Sequence, residues 1–187
     1  MTPIFTAAAE LQEVCAEQGW RFCFIGGLAV LRWGEPRLTR AIDVTILTGY
    51  ETEEPVVNML LSRFTSRMED ARKFALRNRV LLLHASNRIP IDIALGALPF
   101  EERAVGRASM WRISDEMALR TCGTEDLVVH KVFAGRERDW LDVEGIIQHQ
   151  GSELDRDLIY RELLPLLELK GSMYQSDRLT ALFGQVG

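Results

Sequence analysis

Cysteine is scarce in this chain, and its placement excludes several functions. Cys15, Cys23 and Cys122 are three in number and have no metal-ligand spacing. That argues against a disulfide framework or a thiolate zinc site and predicts reduced, buried thiols in a cytoplasmic protein. Long apolar runs are missing too. None approaches the ~18 residues of a membrane span, so no membrane partner is expected. Glu10 and Glu13 lie near the start without a basic stretch before them, so no signal peptide is read. Excess charge of one sign is modest: 22 Lys and Arg face 27 Asp and Glu, a net charge of −5. Bulk electrostatics therefore do not announce a nucleic-acid binder. Phosphate loops of the G-x-x-x-x-G-K-[ST] type, G-x-G-x-x-G, C-x-x-C, H-E-x-x-H and G-x-S-x-G are all absent. His84, His130 and His149 are scattered, and nothing in the spacing of His84, Ser86 and Asp92 supports a hydrolase triad.

What remains is an ordinary globular composition. The 187 residues are 47% hydrophobic and 26% charged, enough for one domain or a domain with a helical appendage. Periodicity predicts a helix over 4–18, a buried strand Phe22–Ile25, a break at Gly26-Gly27 and a helix over 28–33 stopped by Gly34. A strand over 41–47 follows, then a helix over 53–65. Strands over 79–84 and 89–95 form a hairpin around Asn87-Arg88. A short helix is expected over 99–107 and one or two short strands within 110–121. The remainder reads as helices over 125–134, 140–150, 155–168 and 176–184. Thr124 and Asp139 are candidate N-caps, and Gly135 is a candidate stop. The fold class is α/β (α+β), a mixed sheet flanked by helices. The expected division is an α/β core over 1–115 and a C-terminal helical part over 116–187.

Two carboxylates stand out. Asp43 lies in Ile42-Asp43-Val44 and Asp92 in Ile91-Asp92-Ile93, each on an apolar strand. A carboxylate there is costly unless something positive meets it. Two such strands side by side offer converging carboxylates, the ligands a hard divalent cation takes together with substrate phosphates. Alternation puts positions 41 and 43 on one face of the strand, and position 41 is alanine.

Nucleotidyl transfer needs a glycine turn close to phosphate, carboxylates for Mg²⁺, and cations for the leaving pyrophosphate. Gly26 and Gly27 suit the first role, Asp43 and Asp92 the second. Arg37, Arg40 and Lys131 suit the third. Basic residues cluster at Arg67, Arg72, Lys73, Arg77 and Arg79, read either as a polyphosphate rim or as a solvated face. Glu51, Glu53 and Glu54 read as an acidic pocket for a cationic acceptor or as a charge cluster at a helix start.

With those residues placed, the chain resembles the nucleotidyltransferase superfamily, nearest the branch of AbiEii-type toxins of type IV toxin–antitoxin systems. That branch has a Gly-Gly turn, an Arg-x-Thr-x-Asp-x-Asp strand, a later strand Asp, a helical Lys and an Arg-Asp-x-x-Asp motif. Here these are Gly26-Gly27, then Arg37, Thr39 and Asp43, then Asp92, Lys131 and Arg138-Asp139-Trp140-Leu141-Asp142. The likeness spans roughly residues 20–150. It implies a bacterial, cytoplasmic enzyme that moves an NMP from an NTP to a hydroxyl with Mg²⁺ or Mn²⁺. It also implies an antitoxin partner and an acceptor that is tRNA, protein or a small molecule. By the same likeness, Gly26, Gly27, Arg37, Thr39, Lys131 and Asp142 bind nucleotide. Asp43, Asp92 and Lys131 are catalytic, with Asp43 and Asp92 holding metal. Ala41 is the departure, because the family pattern puts the first metal-binding Asp there. An introduced Asp→Ala change, natural loss in a silent nucleotide-, RNA- or partner-binding fold, and a site in which Asp142 or Glu35 substitutes all fit the sequence.

Overall fold

Apolar alternation and helix stop signals define most of the elements. The computed structural model describes residues 2–186. It divides the chain into two compact units, Met1–Leu28 with Leu38–Cys122, and Ala29–Arg37 with Gly123–Gly187.

The first unit is built on a mixed seven-stranded sheet flanked by helices, in the order β3-β4-β5-β2-β1-β7-β6. The strands are β1 (Phe22–Ile25), β2 (Ile42–Leu47), β3 (Thr65–Ser66), β4 (Val80–His84), β5 (Pro90–Gly96), β6 (Ser109–Arg112) and β7 (Ala118–Thr121). Its helices are α1 (Pro3–Glu17), α3 (Glu54–Arg63), α4 (Ala71–Asn78) and α5 (Pro99–Arg107), with the start of α2 (Gly26–Trp33). β4 and β5 form the expected antiparallel hairpin. The strand partners of β2 are β1, antiparallel, and β5, parallel.

The β2–β5 register positions the candidate site. Ile42 faces Ile91, Val44 faces Ile93 and Ile46 faces Leu95, and all six are at most 2% exposed. Matching these apolar residues on one face sends the intervening residues to the other. A slip of one residue would turn the aspartates into the core, which is why burial on one face specifies register strongly.

The second unit is helical, with the rest of α2, then α6 (Thr124–Ala134), α7 (Glu137–Gln150), α8 (Arg156–Lys170) and α9 (Tyr174–Val186). α6 stops where Gly135 takes φ +69°, as its position suggested. Asp155 caps α8 by accepting from the Leu158 N–H at 2.9 Å. No described helix is long and apolar enough to cross a membrane.

Several local expectations change. α2 starts at Gly26, two residues before the expected 28, so the glycine pair opens the helix as its place after a strand suggested; Gly26 reaches the left-handed region at φ +56° and the chain turns there without a loop. Gly123, not Thr124, occupies the N-cap of α6. α7 begins at Glu137, so Asp139 caps from inside the first turn, accepting from the Arg136 N–H at 3.3 Å. α4 was not expected. Only Ala71 and Ala75 of this helix are buried, and alanines carry too little hydrophobic signal to reveal a periodicity among charged neighbours.

Candidate functional site

Asp43 and Asp92 are direct cross-strand neighbours in the parallel β2–β5 ladder. Both are half-buried on the face opposite the isoleucines. Ile25, the last residue of β1, is the partner of Asp43 on its other side. The next two residues are the glycine pair, so the β1–α2 junction meets the carboxylate. A Cβ on Gly26 would overlap Asp43 Oδ2, and a Cβ on Gly27 would overlap the Thr39 side chain. The first motif residues of the chain thus pack on one another: Gly26 against Asp43, Gly27 against Thr39. Gly26→Ala is expected to cost about 1–3 kcal/mol, from the positive φ together with displacement of Asp43. Thermal denaturation of the variant checks this. An unchanged melting temperature would refute the close approach.

The positive group that Asp92 requires is Arg67, whose Nη1 donates to Asp92 Oδ1. The sequence placed Arg67 in a basic cluster without singling it out. Other members of that cluster are also paired rather than forming a rim. Arg72 meets Glu54 and donates to Asn58 at 3.2 Å. Arg79, in the left-handed region at φ +56°, meets Glu53 at 2.9 Å and donates to the carbonyls of Leu95 and Gly49. Glu53 and Glu54 are thereby neutralised and do not make an acidic pocket. Ser86 donates its hydroxyl to Glu10 at 2.9 Å, so no triad forms with His84 and Asp92.

Two in-register carboxylates fit a divalent cation that brings phosphate oxygens with it, since Mg²⁺ uses one or two protein carboxylates in such sites. Among the described residues no group of three or more His, Cys, Asp or Glu side chains could hold a metal. The donor set therefore suits a nucleotide-completed ion rather than an all-protein cage. The cysteines contribute nothing here: all three are buried, and burial pushes the Cys15 thiol up to about 12.

In the helical unit, Lys131 is 7% exposed. Its Nζ lies 3.0 Å from Asp139 Oδ1 and 2.8 Å from Asp142 Oδ2. Arg37 grips Asp142 with two bonds, Nε at 2.5 Å and Nη2 at 2.7 Å. Arg136 adds an Nε bond of 2.6 Å to Asp139. Burial alone would raise both carboxyl pKa values. For Asp139 the hydrogen bonds from Arg136 and Lys131 outweigh burial and hold it below the usual carboxylate range. For Asp142 the bonds from Arg37 and Lys131 do the same. The structure thus brings Arg37, Lys131, Asp139 and Asp142 into one network. Glu35, the other suggested stand-in for a missing carboxylate, has an Oε2 3.5 Å from His149 Nε2.

No family model matches the sequence, and no curated protein does. Solved structures do match by fold. An antigenic nucleotidyltransferase-like protein from Paracoccidioides brasiliensis aligns with TM-score 0.54 at 14% identity, over 94% of this chain and 91% of that one. The antibiotic-resistance factor ANT(2'')-Ia, solved with adenylyl-2''-tobramycin, aligns with TM-score 0.55 at 16% identity, over 86% of this chain and 97% of that one. The lincosamide antibiotic adenylyltransferase LnuA, solved with lincomycin, aligns with TM-score 0.50 at 12% identity, over 75% of this chain and 94% of that one. The architecture is therefore that of nucleotidyltransferase-like proteins.

Proposed function

We propose that this chain is a nucleotidyltransferase whose activity is impaired by Ala41. The observation that carries the reading is the direct pairing of Asp43 with Asp92, with Gly26 packed against Asp43. In the reaction, the acceptor oxygen bonds to the α-phosphorus of an NTP. The bond from that phosphorus to the β-phosphate oxygen breaks, pyrophosphate leaves, and the hydroxyl proton passes to a base. Asp92 is suited to take that proton or to hold metal, and Asp43 to hold metal. Mg²⁺ or Mn²⁺, when bound, supplies polarisation of the phosphate and a lower pKa for the attacking hydroxyl. Gly26 and Gly27 allow backbone approach to phosphate. We assign Arg37 and Lys131 the role of meeting phosphate charge and Asp142, which bonds both, the role of supporting them. Thr39 would bind the triphosphate.

The motif order supports the AbiEii-like branch, and an antitoxin partner belongs to that assignment. The antibiotic adenylyltransferases among the fold neighbours support small hydroxylated acceptors as an alternative to tRNA or protein. The neutralised Glu53 and Glu54 weigh against a cationic acceptor held by those residues.

A second reading is a non-catalytic nucleotide-, RNA- or partner-binding module on the same fold. Ala41 and the engagement of Asp92 by Arg67 favour it. The deciding experiment incubates the chain and its Ala41→Asp form with each α-labelled NTP, Mg²⁺, total RNA, protein and a panel of small hydroxylated acceptors. Transfer supports the enzyme and names the acceptor. Mg²⁺-dependent thermal stabilisation by NTPs with no transfer in either form supports the module.

A further inference from the structure

Arg67 follows directly on β3, and the sheet fixes its root. Its backbone N–H donates to the Leu82 carbonyl at 3.1 Å. Leu82 on β4 is the cross-strand partner of Asp92, which in turn is the partner of Asp43. One guanidinium anchored at the sheet edge thus bonds a carboxylate that stands beside a second. Like charges on adjacent strands repel, and a cation on either one relieves that cost. Ala41 bears on this balance. A carboxylate at position 41 would add negative charge for a divalent ion to neutralise.

We infer that Arg67 is a resident counter-cation of the Asp43–Asp92 pair and competes with divalent metal for it. Metal binding requires Arg67 to release Asp92. The freed guanidinium, with donors matched to a phosphate edge, then turns to the phosphate that arrives with the ion. Arg67 acts in this way as a positioning residue that makes metal binding weak without nucleotide and stronger with it. The inference rests on the reading of Asp43 and Asp92 as the cation-holding pair.

Mn²⁺ titration of the full chain, followed by the paramagnetic resonance of the free ion and without nucleotide, tests it independently of turnover. Arg67→Gln removes the charge with a shorter polar side chain and is expected to tighten Mn²⁺ about tenfold or more, the scale of repulsion between a divalent ion and a single charge a few ångströms away in a wet site. Arg67→Lys keeps the charge and should stay close to the parent. Adding Asp92→Asn to Arg67→Gln should abolish the gain. Equal Mn²⁺ affinity in the parent and Arg67→Gln, with Asp92→Asn weakening both, overturns the competition and leaves the metal-holding pair standing. Absence of Mn²⁺ binding in every variant overturns both.

Discussion

Ala41→Asp is expected to raise nucleotidyl transfer by about 10³-fold, or about 4 kcal/mol of transition-state stabilisation. The size follows from what one fixed charge does where phosphate charge builds. Position 41 lies in the bend just before β2, two residues from Asp43, so it is one residue short of the alternation the sequence pattern suggested and is close along the chain to the carboxylate pair. A carboxylate there would stand along the strand from Asp43 rather than across from it. It adds a ligand without disturbing the Asp43–Asp92 pairing, and Ala41 is only half-buried, so the larger side chain has room. Initial rates with an α-labelled NTP and saturating Mg²⁺ measure the effect. Introducing Asp43→Asn beside Ala41→Asp should return the rate to the parent level. Equal, measurable rates in the parent and Ala41→Asp would sink the assignment of position 41 to metal binding.

The same substitution bears on the competition between Arg67 and divalent metal. If Arg67 balances the pair only because one carboxylate is missing, Ala41→Asp shifts the site toward divalent metal. The same substitution should then tighten Mn²⁺ in the absence of nucleotide, in parallel with Arg67→Gln.

Much of the first unit was legible in the sequence because its strands alternate sharply. Ile42, Val44 and Ile46 announce the buried face of one strand and Ile91 and Ile93 that of the other, and the aspartates fall opposite by necessity. α5 was legible to the residue: Pro99 suits a first helical turn, and Glu101 accepts from the Leu98 N–H at 2.8 Å to close it. The parallel pairing of β2 with β5 was not legible in detail. Strands so far apart in sequence are joined by burial of a shared apolar face, and no local residue records the register. Arg67 was hidden for a similar reason. One of four arginines in a stretch of five basic residues is singled out only when β3 pairs with β4 and carries it to Asp92. In the helical unit, Asp139 and Asp142 are three apart on one helix, a spacing that puts both on one face. A link between Lys131 and Asp142 was expected from the motif; that Lys131 also bonds Asp139 came only with the packing of α6 on α7.

Lys131→Met is expected to destabilise the protein by about 3–5 kcal/mol, the cost of leaving a buried carboxylate cluster short of a cation. Asp139 and Asp142 are 2% and 5% exposed, so water cannot replace the lost ammonium. Arg37 and Arg136 stay bonded to them, which places the cost toward the lower bound. For a chain of this size the melting temperature should fall by roughly 6–12 °C. The pH dependence carries the sign of the same network. Both carboxyls have folded-state pKa values below the ordinary 3.8. At pH values around 3.8 the unfolded chain therefore binds more protons than the folded one. The stabilisation is complete above that pH and is lost as pH falls through the depressed folded values. Lys131 supplies part of the depression, so its removal should flatten the acid limb of the stability curve as well as lower the neutral plateau. Chemical denaturation of parent and variant from neutral pH down through the acid range measures both. A parallel downward shift with an unchanged acid limb would mean that Lys131 contributes packing alone, and that Arg37 and Arg136 by themselves hold the two aspartates ionised.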